Sequence, residues 1–199
     1  MAQHALSMLP PRFALLGHSM GARVALEVCR IAPERVSRLA LVDTGIHNVR
    51  AGEKEKRYEL RELGRQQGIR ALCGAWLPPM LAPASLADRA LMESLEAMVC
   101  DAGVERYEQQ IEALLHRRPV DDVLAAIRVP LFAMVGECDS WSPVSQHREI
   151  AAAVPGGQLR IVAGAGHMMP TEKPEEFHDL VREWLAWPAP QSSPTPSSQ

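Results

Sequence analysis

Four short apolar runs recur along the chain, and most of the stretches between them have helical periodicity. The runs lie at residues 12–16, 37–42, 129–135 and 158–162. Strands that are buried on both faces and separated by helices are typical of a parallel sheet with crossover helices. The pattern therefore predicts an α/β fold built on at least four parallel strands.

Helices are predicted between and beside these strands. Residues 1–10 look like the end of a helix that Pro10 and Pro11 stop, and a second helix runs from Ser19 to about Ile31. A third begins near Pro143 and extends to about residue 154. The last spans roughly 174–187, and its predicted apolar face consists of Phe177, Val181, Trp184 and Leu185.

Between about residues 46 and 126 the pattern contains helices alone. Residues 53–67 are strongly charged and predict a solvated helix, and a proline-broken apolar loop follows at 77–83. Two apolar stripes with helical spacing come next: Leu91, Leu95, Met98 and Val99, then Tyr107, Ile111, Leu114 and Leu115. We interpret residues 46–126 as a helical cap inserted into a core formed by residues 1–45 and 127–187.

Residues 188–199 contain only Pro, Ala, Gln, Ser and Thr. Such a segment has too few apolar side chains to form a core, and we expect a disordered tail.

Composition excludes several classes of function. The net charge is −3 and the isoelectric point is near 6.2, which gives no electrostatic reason to expect nucleic acid or an anionic membrane as a partner. No apolar run approaches the roughly 20 residues of a membrane span, and residues 1–10 lack the pattern of a signal peptide.

The cysteines and histidines predict neither disulfides nor a metal site. Cys29, Cys73, Cys100 and Cys138 are scattered without a C-x-x-C pair, which favours small apolar roles in a reducing cytoplasm. The seven histidines show no metal-binding spacing. We therefore expect a cytoplasmic protein without a metal.

The stretch most informative about function is residues 13–26, FALLGHSMGARVAL. It predicts a strand, a sharp Gly-x-Ser-x-Gly turn and a helix. A serine on such a turn is held in strained geometry with its hydroxyl clear of the sheet. Gly17 and Gly21 are expected to let the strand and helix pack closely. The Met20 N–H at the helix start is a candidate donor to a developing oxyanion.

Ser19, Asp139 and His167 each follow a predicted strand, in that order along the chain. In parallel sheets ligands bind at the carboxyl ends of strands, so these three side chains are expected to converge. A serine hydroxyl needs a base within hydrogen-bond reach, and a carboxylate on the far nitrogen of a histidine fixes its tautomer. The three residues are candidates for nucleophile, orienting acid and base.

Alternatives exist for the acid and the base. Glu137 and Asp43 are the other candidate carboxylates, and Asp43 could reach a histidine from the end of the second strand. His18 lies inside the turn, which is expected to direct its side chain elsewhere. The other histidines occupy helices or solvated segments; they are His4, His47, His116, His147 and His178.

The chain resembles the α/β-hydrolase superfamily, in particular small bacterial hydrolases with a GHSMG elbow. The resemblance rests on FALLGHSMGARVAL, RLALVDTG, VPLFAMVGECDSWSP and GAGHMMPTEKPEEF. It implies a cofactor-free Ser-His-Asp hydrolase acting on a small-molecule ester or a related acyl or carbon–carbon bond. A serine at position 19 argues against the branches with an aspartate nucleophile, such as dehalogenases and epoxide hydrolases.

The chain departs from the family pattern at its beginning. Family members begin with several strands and a His-Gly loop that supplies a second oxyanion donor, and here no His-Gly pair precedes Gly17. The resemblance implies a partial sheet of the last four strands, with residues 12–16 at its edge. We therefore expect an N-terminally truncated serine esterase. The alternative is a weak or inactive fragment, or a remnant that binds a ligand or partner.

Overall fold

The computed structural model of the protein describes residues 1–188, so almost all of the predicted tail lies outside it. The strands in this range are β1 (Phe13–His18), β2 (Val36–Val42), β3 (Leu131–Gly136) and β4 (Gln158–Val162). They form one parallel sheet in the order β1-β2-β3-β4. The predicted α/β fold and the place of the first strand at the sheet edge are both confirmed.

The centre of this sheet is buried on both faces. Consecutive side chains of a strand point to opposite sides, so each central strand contributes side chains to both faces. Leu39 and Leu41 of β2 pack with Leu26 and Ile150 on one face. The alternate residues of β2 and β3 pack on the other face with Met169 and Trp184. The two central runs of the sequence therefore form a two-sided core. The outer strands β1 and β4 are only partly buried, because each has a neighbouring strand on one side alone.

The described residues also form helices, some of which cover the sheet while others pack mainly on one another. They are α1 (Ala2–Met8), α2 (Met20–Ile31), α3 (Glu53–Gln67), α4 (Ile69–Trp76), α5 (Arg89–Leu115), α6 (Asp121–Ala126), α7 (Val144–Ala153), α8 (Met169–Glu172) and α9 (Pro174–Ala186). The sequence pattern did not single out α4, α6 or α8. In α9 the predicted Leu185 is exposed, because Leu180 takes its place against the sheet.

Helices α3 to α6 lie in the segment between β2 and β3. The two apolar stripes belong to one helix, α5, which Gly103 interrupts with a left-handed φ of 75°. The first stripe packs with α4 around Leu95 and the second around Ile111. The apolar role predicted for Met98 is wrong, because this side chain lies at the margin of the stripe and is exposed. α6 instead packs on the sheet core through Val123 and Leu124.

The cysteines differ in their surroundings. All four are free thiols; Cys29 and Cys73 are buried as expected of small apolar residues, whereas Cys138 is exposed. The apolar role predicted for Cys138 is therefore wrong, because the residue lies in the turn after β3 rather than within the core.

Candidate active site

Ser19 lies on the tight turn between β1 and α2, as the motif predicts. Its backbone has φ 51° and ψ −116°, a conformation that is strained for any residue with a side chain. The Ser19 N–H donates to the carbonyl oxygen of Val42 at 2.8 Å, and the Thr44 hydroxyl donates to the Ser19 carbonyl oxygen at 3.1 Å. The end of β2 therefore holds the turn in this conformation.

The two glycines of the motif have different roles. A Cβ added to Gly17 would lie 2.5 Å from the carbonyl oxygen of Gly21 and 2.6 Å from the Cα of Ala22, so β1 and α2 can cross here only without a side chain. A Cβ added to Gly21 would meet no atom within 4 Å. The expectation that Gly21 also makes room for close packing is wrong, because its α-carbon faces open space.

Ser19, His167 and Asp139 are brought together by the fold. Ser19 Oγ lies 2.7 Å from His167 Nε2, and His167 Nδ1 lies 2.8 Å from Asp139 Oδ2. These contacts join residues from three loops at the carboxyl ends of the strands. The arrangement can move a proton from the serine hydroxyl to the imidazole while the carboxylate holds the ring in place.

Asp139 is held as an ionised carboxylate. Its Oδ1 accepts from the N–H groups of Trp141 and Ser142 at 2.8 and 2.9 Å, and its Oδ2 accepts from the Ser142 hydroxyl at 3.1 Å. Burial alone would raise the pKa of this carboxyl. The hydrogen bonds from His167 and from the backbone outweigh burial, and the pKa lies below its ordinary value.

The two alternative acids have other partners. Asp43 Oδ1 accepts from the Gly136 N–H at 2.8 Å, and burial raises the pKa of this carboxyl well above its ordinary value. Glu137 accepts from the Gly164 N–H at 3.1 Å. Asp139 is thus the carboxylate that the described structure places on His167.

His18 lies at the site rather than away from it. Its Nε2 donates to the carbonyl oxygen of His167 at 2.7 Å, and the centroids of the two imidazole rings are 5.5 Å apart. The expectation that the turn directs His18 elsewhere is wrong, because the end of β1 faces the loop that carries His167. Burial lowers the pKa of His18 to about 4, so the ring is neutral at ordinary pH. No spacing signal in the sequence identifies this contact.

Glu172 is a further residue that sequence reasoning did not find. Its Oε1 accepts from the N–H groups of Gly166 and Met168, which flank His167, at 3.0 and 3.1 Å. Its Oε2 accepts from the Ala82 N–H at 2.8 Å and the Ser85 hydroxyl at 2.7 Å. One carboxylate therefore ties the His167 loop to the segment after α4.

We expect Glu172→Gln to lower the free energy of unfolding by about 2 kcal/mol. Each carboxylate oxygen of Glu172 accepts two hydrogen bonds, and the amide nitrogen that replaces one of these oxygens in glutamine cannot accept either of its two. Urea unfolding followed by circular dichroism measures this change. The matched control is Glu176→Gln on the exposed side of α9, which should change stability by less than about 0.5 kcal/mol. Equal effects of the two substitutions would contradict the role given to Glu172.

A cavity of about 540 Å³ opens beside Ser19 and His167. Met20 lines it and is the first residue of α2, so its N–H has no acceptor within the helix. Apolar side chains line another part of the wall; they are Trp76, Met80, Ile111, Leu114, Trp141 and Met168. The predicted apolar loop contributes Met80 but not Leu77, which is buried inside the cluster around Leu95.

Within residues 1–188, no group of three or more His, Cys, Asp or Glu side chains is arranged to hold a metal ion. Each helix in the same range falls short of the length and apolarity that a membrane crossing requires.

Comparison with known proteins identifies the class of protein that this fold and site define. The model of the alpha/beta hydrolase family matches residues 2–180. The chain therefore belongs to the alpha/beta hydrolase family, an assignment that fits the strand–serine–helix turn and the parallel sheet.

Individual relatives are hydrolases. RutD of Klebsiella pneumoniae, named as a candidate carbamate hydrolase, is 28% identical over 183 residues, which cover 88% of this chain and 66% of that protein. The mouse sn-1-specific diacylglycerol lipase ABHD11 is 24% identical over 190 residues, covering 86% of this chain and 58% of the lipase. The chain thus spans less than two thirds of the length of these relatives.

Solved structures agree on the fold. A thermophilic esterase from Thermogutta terrifontis superimposes with a TM-score of 0.83 at 27% identity, covering 92% of this chain and 67% of the esterase. The enol-lactonase of Burkholderia xenovorans superimposes with a TM-score of 0.78 at 24% identity, covering 94% of this chain and 72% of the lactonase. At that identity the lactonase shows the shared fold alone.

Proposed function

We propose that the protein is a serine hydrolase that cleaves a carboxylic ester, or a related acyl or carbon–carbon bond, through an acyl-enzyme. The proposal rests above all on the hydrogen-bonded series Ser19–His167–Asp139 at the end of a strained strand-to-helix turn. Family membership and the likeness to an esterase support it.

In the proposed reaction Ser19 Oγ attacks the carbonyl carbon of the substrate while its proton passes to His167 Nε2. The resulting oxyanion accepts a hydrogen bond from the Met20 N–H, and Asp139 stabilises the imidazolium. His167 then returns the proton to the leaving group as the bond to the acyl carbon breaks. A water molecule, deprotonated by the same imidazole, hydrolyses the acyl-enzyme and restores Ser19.

Residues around the three central side chains complete the proposal. His18 and Glu172 position the backbone of the His167 loop, since they bond to groups within one residue of His167. Residues 46–126 act as the cap that closes the cavity, and the reaction takes place without a cofactor. The cytoplasm remains the predicted location.

The test is labelling of the purified chain with a fluorophosphonate probe, followed by intact mass. We expect a single adduct, because the probe reacts with serines activated by a neighbouring base. Ser19→Ala should abolish the adduct. Ser145→Ala removes an exposed serine in the first turn of α7 and should leave labelling unchanged.

Two results would contradict the proposal. One is an adduct that persists in Ser19→Ala, which would place the reactive group elsewhere. The other is no adduct on a protein that melts cooperatively, which would indicate a folded but inactive chain.

A further inference from the structure

The wall of the cavity beside Ser19 is unusually rich in cations for an acidic protein. Among residues 1–188, five cationic residues and two carboxylates, Asp43 and Glu53, line it. The cations are Arg23, Arg50, Lys56, Arg57 and Arg117. The net charge of the whole chain is −3, so the positive charge is concentrated locally at this wall.

The two carboxylates do not balance these cations. The two carboxylate oxygens of Glu53 accept hydrogen bonds from Nη1 and Nη2 of Arg117, at 2.7 Å each. Glu53 Oε1 also lies 2.9 Å from Nη2 of Arg57. A single negative charge is therefore shared between two guanidinium groups. Asp43 is bonded to the Gly136 N–H instead, and its raised pKa favours the neutral acid.

Arg23 lies on the same wall and lacks a full set of partners. The residue as a whole is 8% exposed, and its Nη2 donates to the carbonyl oxygen of His47 at 2.6 Å. Arg23 Nη1 is buried and has no acceptor among the described residues. A buried donor of a charged group that lacks an acceptor is costly, and the charge of an anion in the cavity would offset part of that cost.

The electrostatic surroundings of Arg23 agree with this geometry. Burial, and next the charge of Arg117, lower the pKa of Arg23 to about 10. Both causes disfavour the charged form, whereas the charges of Glu53 and Asp121 favour it without outweighing them. A further anion beside Arg23 would add to that favourable effect.

The cationic wall is close to Ser19 along the chain. Arg23 is four residues after Ser19, which is about one turn, or roughly 6 Å along α2. Both residues line the same cavity, together with the apolar side chains of α4 and α5. A ligand can therefore place a carbonyl group at Ser19, an apolar chain against Trp76 and Ile111, and an anionic group at Arg23.

We infer that the substrate of the proposed hydrolase carries a carboxylate at the end remote from the scissile bond, as in a monoester of a short dicarboxylic acid. This inference rests on the proposed function for the place of the ester. A carboxylate suits such a wall, because a guanidinium with two free donors can give parallel hydrogen bonds to both of its oxygens. Arg23 contributes mainly its charge, since its Nη2 already donates to the carbonyl oxygen of His47.

Binding to the Ser19→Ala protein tests the inference without turnover. Calorimetry would compare monomethyl adipate, which carries one carboxylate, with dimethyl adipate, its neutral counterpart. We expect the monoester to bind at least about tenfold more tightly, because its carboxylate can form a charge-assisted hydrogen bond or ion pair that the neutral diester cannot. The preference should fall as ionic strength rises.

Variants assign the preference to this wall. In the Ser19→Ala background, Arg23→Gln should remove the tenfold preference. Arg50 and Lys56 are exposed, so replacing them should not disturb the fold. Arg50→Gln and Lys56→Gln therefore test the same wall even if Arg23→Gln does not fold. Each should reduce the preference about threefold, as expected of one exposed ion pair. The control Arg89→Gln removes an exposed arginine outside the cavity and should leave the preference intact.

The outcomes separate this inference from the proposed hydrolase. Equal affinity for the two esters, no binding of either, or a preference that survives the arginine and lysine substitutions would overturn the carboxylate site. If Ser19 of the unmodified chain is also labelled by fluorophosphonate, the hydrolase proposal stands in each of those cases. A clear preference for the monoester without labelling of Ser19 would keep the carboxylate site and refute the hydrolase.

Discussion

Replacing Asp139 by Asn should reduce kcat for hydrolysis of an activated ester by about 10⁴-fold while the fold is kept. The asparagine amide can still occupy the space and accept from the N–H groups of Trp141 and Ser142. It cannot stabilise an imidazolium, and its NH₂ group favours the tautomer of His167 with Nδ1 unprotonated. Nε2 then carries the hydrogen and cannot take the proton of Ser19.

The measurement is the rate of p-nitrophenyl butyrate hydrolysis, with the rate of fluorophosphonate labelling as a second readout. Glu137→Gln is the matched control, because Glu137 lies two residues away, after the same strand, and accepts a hydrogen bond only from Gly164 in the described structure. It should lower both rates by less than about threefold. A large loss in Glu137→Gln and a small one in Asp139→Asn would show that the acid has been assigned to the wrong carboxylate.

Gly17→Ala should lower the free energy of unfolding by at least about 3 kcal/mol, a large part of the 5–15 kcal/mol that holds a typical domain together. The new methyl group would lie 2.5 Å from the Gly21 carbonyl oxygen and 2.6 Å from Ala22 Cα. Both are backbone atoms of α2, so the helix itself must move away from β1. Such a movement would also carry Ser19 away from His167.

Gly21→Ala is the control for this prediction, since it makes the same change four residues later in the same motif. No atom lies within 4 Å of the new methyl group, and alanine favours helix, so stability should stay within about 1 kcal/mol of the original. Urea unfolding of both variants measures the difference. Similar losses in the two proteins would contradict the steric argument.

The fold was largely predictable because its signals are local. Buried parallel strands require short apolar runs, and all four runs of this kind became strands of the sheet. The helices α4, α6 and α8 were harder to predict because they are short. In helices of this length only one or two side chains per turn face the core, and the periodic pattern is too brief to recognise.

The candidate site was predictable to the extent that its residues follow strands. Ser19, Asp139 and His167 each come at the end of an apolar run, and the topology of a parallel sheet brings such positions to one edge. The sequence also left Asp43 and Glu137 open as acids. The distance of 2.8 Å between His167 and Asp139 singles out one carboxylate, which no spacing rule can do.

The sequence by itself determined the α/β architecture and the strand–serine–helix turn, since both depend on patterns of residues that are adjacent along the chain. Only the tertiary structure decided the surroundings of His167, where His18, 149 residues away, and Glu172 hold its loop. The same is true of the cationic wall, in which Arg23, Glu53 and Arg117 meet from separate helices and loops. Such contacts depend on how elements pack, and packing brings together residues whose spacing carries no pattern.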